Sequence, residues 1–125
     1  MIVETVYDIL DGAGLPVFVQ GSKIEPDCII VEYPSTTTFT TLDRIGLQTS
    51  VFQIRCHTLH RPGSVNSGPA KTLSRQVRDT LPATIVIDGE NVFVPHPDVF
   101  PQQYEREGKS AFDVVLTYSL NTTVA

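Results

Sequence analysis

Basic residues are scarce in this chain: 9 Lys and Arg stand against 14 Asp and Glu in 125 residues, a formal charge of −5. That deficit argues against a general nucleic-acid binder, which needs basic surface to replace the counterions of the phosphate backbone. Long apolar runs are also missing. No stretch approaches the roughly 20 apolar residues required to span a bilayer, so no membrane association is expected. The first residues carry no Lys or Arg, and Glu4 and Asp8 interrupt the apolar ones, a pattern unlike a secretory signal peptide. Cysteine is limited to Cys28 and Cys56, both inside strand-like runs and expected to serve as buried, reduced, small hydrophobes.

Catalytic signatures are absent as well. There is no Gly-x-Ser-x-Gly elbow, and Gly12-Ala13-Gly14 precedes no helix whose N-terminus would bind phosphate. Cys56, His57 and His60 lie close together, but strand geometry sends 57 and 60 to opposite faces, and no pair has structural-zinc spacing. The histidines are expected to be surface or interface groups. Alternation places Cys56 on an apolar face, where burial raises its pKa and makes it inert. The acidic residues are spread over strand ends and loops with no paired spacing. No cofactor, metal or catalytic residue is therefore expected, and the chain is not read as an enzyme.

What is present is patterning for one α+β domain over residues 1–125, an ordinary size for a single core. The clearest element is the last: in Ala111 to Thr122, Phe112, Val114, Leu116, Tyr118 and Leu120 alternate with Asp113, Thr117, Ser119 and Asn121. That two-residue period marks a half-buried strand. Val51 to Leu59 repeats it, with Phe52, Ile54 and Cys56 against Gln53, Arg55 and His57. The two strands together predict a sheet with one dry face, on whose wet side Val115 is a lone exposed valine.

The rest of the order follows from local signals. Ile2 to Asp11 places Ile2, Val6, Ile9 and Leu10 on one helical stripe, stopped by Gly12 and Gly14. Val17 to Val19 is a short extended piece. Cys28 to Tyr33 barely alternates, which suggests a strand covered on both faces. A second helix opens at Ser67-Gly68-Pro69, buries Ala70, Leu73, Val77 and Leu81, and stops at Pro82. Its other side carries Lys71, Arg75 and Arg78, which reads either as a solvated helix face or as a contact for an acidic neighbour. Thr84 to Ile87 and Asn91 to Val94 flank Asp88-Gly89, a strong hairpin signal. Pro95, Pro97 and Pro101 predict an extended linker, followed by a polar stretch from Gln102 to Ser110. The expected fold is a single mixed, mostly antiparallel sheet with two helices packed on one face.

Pro34 to Gln48 is the least regular part, dense in threonine, with Phe39, Leu42, Ile45 and Leu47 scattered through it. It reads either as a long surface loop or as an extended hairpin arm whose apolar residues dock on a partner.

Taken together, the helix with Val6-Tyr7-Asp8-Ile9-Leu10, the Phe52-Gln53-Ile54-Arg55 strand, the helix around Leu73 to Leu81 and the closing Phe112-Asp113-Val114-Val115-Leu116-Thr117-Tyr118 strand resemble the tail terminator, or tail completion, family of long-tailed phages. These are minor tail or minor capsid proteins of the neck. The resemblance implies a virion protein, made in the host cytoplasm, that forms a ring, usually a hexamer. Such a ring caps the head-proximal end of the tail tube, ends tube polymerisation and meets the head–tail connector or stopper. DNA would cross the channel as cargo, which suits an acidic chain. On this reading Phe39, Leu42, Arg44, Ile45, Lys71, Arg75 and Arg78 are the expected subunit or partner interface. A head–tail joining or stopper protein is the near alternative. A small ligand-binding or enzyme domain and a generic adaptor or antitoxin-like module are the distant ones.

Overall fold

The computed structural model describes residues 2–21, 27–32, 36–42, 45–60, 68–106 and 108–124, with backbone alone at 36–42, 45–48, 60, 106, 123 and 124. Its elements are α1 (Ile2–Gly12), β1 (Val17–Val19), β2 (Cys28–Val31), β3 (Thr36–Leu42), β4 (Ile45–His60), α2 (Gly68–Thr80), β5 (Thr84–Ile87), β6 (Glu90–Phe93), β7 (Asp98–Arg106) and β8 (Lys109–Val124). The main sheet runs β1-β2-β4-β8-β7, with β3 joining β4. Among the described residues, only β1 and β2 of this sheet pair in parallel. The fold is α+β, as its patterning predicts.

β4 and β8 form the spine. They pair without a break from Gly46↔Val124 to His60↔Ser110. Phe52 and Tyr118 face each other in that register and stack, with ring centroids 5.5 Å apart. On this face Phe52, Ile54, Cys56, Val114, Leu116, Tyr118 and Leu120 meet Val3, Val6 and Leu10 of α1 and Ala70, Leu73 and Val77 of α2. Both helices therefore lie on one face. Glycine ends α1, with Gly14 at φ 81° while the amides of Ala13 and Leu15 close on the Leu10 carbonyl. Proline opens α2 in its first turn, and Pro82 follows its last hydrogen bond, from the Leu81 amide to the Val77 carbonyl.

Three expectations need correction. The Asp88-Gly89 turn forms, with φ of 51° and 80°, but β5 and β6 pair only with each other, as a separate two-stranded sheet. That hairpin lays Ile85, Ile87 and Val92 onto the same core as the helices. Residues 98–106, read as part of a linker and polar stretch, are an edge strand paired with β8. Pro101 sits opposite Val114 there, and an edge strand tolerates the missing N–H that would break a central one. Finally, the face turned away from the helices is not simply wet. Val115 and Ile30 are buried on it, together with His57 and Asp113.

The threonine-rich segment is a hairpin rather than a loop. β3 pairs with β4 from Thr36↔Val51 to Leu42↔Ile45. β2 and β3 share one edge of β4, and between Val31↔Ile54 and Thr36↔Val51 the chain spends four residues where β4 spends two. An even excess keeps side-chain parity. Past Ser50 and Leu120 the ribbon of β3, β4 and β8 runs on, and β3 packs against no described element other than β4.

Candidate functional site

Strand parity gathers a cluster of ionisable groups on the face opposite the helices. Arg55 and His57 are two apart on β4, Asp113 lies directly across from His57 on β8, and Gln102 pairs with Asp113 from β7. Tyr104 reaches in from β7, and Glu32 follows β2.

Asp113 is the hub, with its side chain 0% exposed. Its Oδ1 accepts from His57 Nδ1 at 2.6 Å, and its Oδ2 accepts from an Arg55 terminal nitrogen at 2.6 Å and the Tyr104 hydroxyl at 2.9 Å. Arg55 Nε donates to Glu32 Oε1 at 2.9 Å, and its terminal nitrogen also lies 3.4 Å from Gln102 Oε1. Burial alone would push the Asp113 pKa up. The hydrogen bonds from His57, Arg55 and Tyr104 outweigh it and hold the carboxyl below its ordinary value. Burial likewise works against the Arg55 charge, but its bonds to Asp113 and Glu32 win and raise its pKa. One side-chain nitrogen is left over: His57 Nε2 is buried with no hydrogen-bond partner.

The arrangement resembles the base and orienting acid of a hydrolase triad. It lacks the rest of that machinery among the described residues. His57 is closed off from solvent, and no described hydroxyl or thiol bonds its Nε2. What the geometry does is join β2, β4, β8 and β7 through one carboxylate and one guanidinium. The expectation that His57 is a surface or interface group is therefore corrected: its ring is buried within the chain and an acid meets it in register.

This arrangement sets a pH dependence. A carboxyl whose folded pKa lies below its unfolded value of about 3.9 contributes stability above that value. The contribution is lost as pH falls through the folded pKa. Melting temperature should therefore drop below about pH 4, and the Asp113→Asn protein, less stable throughout, should lose less over the same interval. Parallel acid profiles for the two proteins would show that Asp113 is not the group responsible.

The expected interface residues are dispersed. Lys71, Arg75 and Arg78 are exposed along α2, and Arg78 Nε bonds the Ser74 carbonyl at 3.4 Å. Phe39 and Leu42 lie on β3 and Ile45 opens β4, while Arg44 falls outside the described residues. His60 is placed by its backbone alone. Cys28 and Cys56 are buried thiols on opposite faces, since Cys28 pairs with His57 and Cys56 with Ile29. Burial, with the Asp113 charge adding to it, pushes Cys56 up to about 12.

Sequence reasoning missed two further features. Phe93, Val86, Val99 and Phe100 are large apolar side chains left exposed. A cleft of about 240 Å³ opens between the end of α2, the exit of β6 and Tyr118. Alternation within Thr84–Ile87 could have exposed Val86, but the cleft depends on tertiary packing. No family model and no curated protein matches the chain.

Proposed function

We propose that this chain is a ring-forming structural subunit of the tail-terminator kind. It would close the head-proximal end of a phage tail tube and offer a joint to the head connector. The observation that carries the reading is the β3–β4–β8 ribbon. A compact domain seldom extends strands past its own core, because unpaired edges and exposed apolar residues invite association. Here β4 and β8, 16 residues each, outrun the helices, and β3 packs on nothing else described.

Two further points support it. The ionisable cluster braces four strands, with His57 and Asp113 at its centre buried, which suits a scaffold better than a reaction site. A net charge of −5 suits a channel wall that DNA slides past without sticking.

Deleting residues 36–44 should leave a folded monomer with a cooperative melt that no longer forms rings, alone or on purified tail tubes. Sedimentation velocity reads the outcome directly. Rings of unchanged mass from the deleted protein would sink the role given to the ribbon.

A further inference from the structure

The cleft beside α2 brings a buried hydroxyl together with an unpaired cation. Tyr118 is 2% exposed, stacks on Phe52 and lines the cleft. Its hydroxyl makes no hydrogen bond among the described residues. His57 Nε2 is the one described side-chain nitrogen or oxygen that is both sealed and unpartnered, so the Tyr118 hydroxyl is open, and it opens into the cleft. Burial pushes this hydroxyl up to about 12, against the pull of the nearby Arg78 charge. At neutral pH it therefore keeps its proton and can donate it.

Arg78, exposed in the last turn of α2, lines the same cleft. Its Nε reaches the Ser74 carbonyl at 3.4 Å, and no carboxylate of the described residues pairs with its guanidinium. No Asp or Glu lines the cleft, although acids outnumber Lys and Arg by 14 to 9 in the chain. Two donors thus face a space that holds no acid. Apart from the exposed His96, the remaining lining is apolar, with Leu81 and Phe93 as walls, and Phe93 is 67% exposed. The Val94 amide bonds the Ala83 carbonyl at 2.8 Å and ties the two sides of the cleft together.

Size limits the ligand. The volume of about 240 Å³ lies below the roughly 300–1,000 Å³ of drug-sized sites. An apolar cavity of about 150 Å³ takes up benzene, so this cleft has room for one ring with a short acidic arm. One cation and one neutral donor match a single charge shared by two oxygens.

We infer that the cleft between α2 and β6 binds a small aromatic carboxylate. Its ring lies against Leu81 and Phe93, and its carboxylate accepts from the Tyr118 hydroxyl and the Arg78 guanidinium. The site does not depend on the ring-subunit reading and would be present in a lone monomer.

NMR titration of the whole chain with phenylacetate tests it. Binding should saturate with a dissociation constant on the order of 1 mM, the strength open to so few atoms. Phenylacetamide has the same shape without the charge and should bind roughly tenfold more weakly. Arg78→Gln and Tyr118→Phe should each weaken phenylacetate roughly tenfold, the worth of a hydrogen bond to a charged group. Tyr118→Phe keeps the ring stacked on Phe52, so its melting temperature should match the wild type, whereas a hydroxyl with a structural role would lower it. Arg78→Gln changes an exposed position and carries the test if Tyr118→Phe fails to fold. The inference is overturned by an absence of saturable binding, by equal affinity for acid and amide, or by an unchanged affinity in either folded variant. None of these results bears on ring assembly, which sedimentation reads separately.

Discussion

Asp113→Ala is expected to cost about 3–5 kcal/mol, the usual penalty for removing one partner of a buried ion pair. For a domain whose total stability is on the order of 5–15 kcal/mol, that is a large share, and the variant should unfold at a much lower urea concentration. The reason is what stays behind. Arg55, whose charge is held by Asp113 and Glu32, would keep Glu32 and the 3.4 Å contact with Gln102, while His57 Nδ1 and the Tyr104 hydroxyl would lose their bonds to the carboxylate. For the buried His57 nitrogen that loss costs about 1–3 kcal/mol.

Glu32→Gln provides the contrast. Glu32 and Arg55 are partly exposed, 21% and 26% at the side chain, so water replaces much of that bond and the expected loss is under about 1 kcal/mol. Replacing the cluster together, Arg55→Met with His57→Leu and Asp113→Leu, should recover much of what Asp113→Ala loses, since no buried charge is then stranded and the one carboxylate left without its cation, Glu32, is partly exposed. Urea titrations of the four proteins give the comparison. A loss under about 1 kcal/mol for Asp113→Ala would mean that water reaches the cluster, because exposed pairs are worth no more than that.

Strand periodicity made half of this fold legible. The alternation of Phe52, Ile54 and Cys56 and that of Val114, Leu116, Tyr118 and Leu120 identified the helix-covered face correctly. Gly14, Pro69 and the Asp88-Gly89 pair marked element ends through local backbone chemistry. The second face was misread because one strand's pattern says only which residues share a side. Whether that side is dry depends on what lies across from it. Consecutive Ile29, Ile30 and Val31, and Val115 beside Val114, were the available signs of two-sided burial. Nothing local could show that His57 meets Asp113, because a pairing 56 residues apart is set by the register of the whole sheet. β7 was hidden by Pro101, and by Pro95 and Pro97 just ahead of it, since proline disfavours a central strand but not an edge.

Leu116→Asp should abolish folding at 25 °C. Leu116 is fully buried on the helix side of β8, opposite Ile54 in β4 and Val99 in β7. An aspartate there must bury its charge or take up a proton, and either route costs several kcal/mol on top of the lost apolar contact. The sum approaches the stability of the domain. Thr117→Asp, one residue on, is the control. Thr117 points to the other face, is only partly buried and lies within 3.4 Å of the Gln53 amide, so its carboxylate would keep water and one donor. That variant should remain folded with a modestly lower melting temperature. Reversal of the two outcomes in circular-dichroism melts would place β8 one residue out of register, and with it both the apolar core and the bond between His57 and Asp113. Because a one-residue slip exchanges the faces of the entire strand, this pair of substitutions tests the core and the ionic cluster at once.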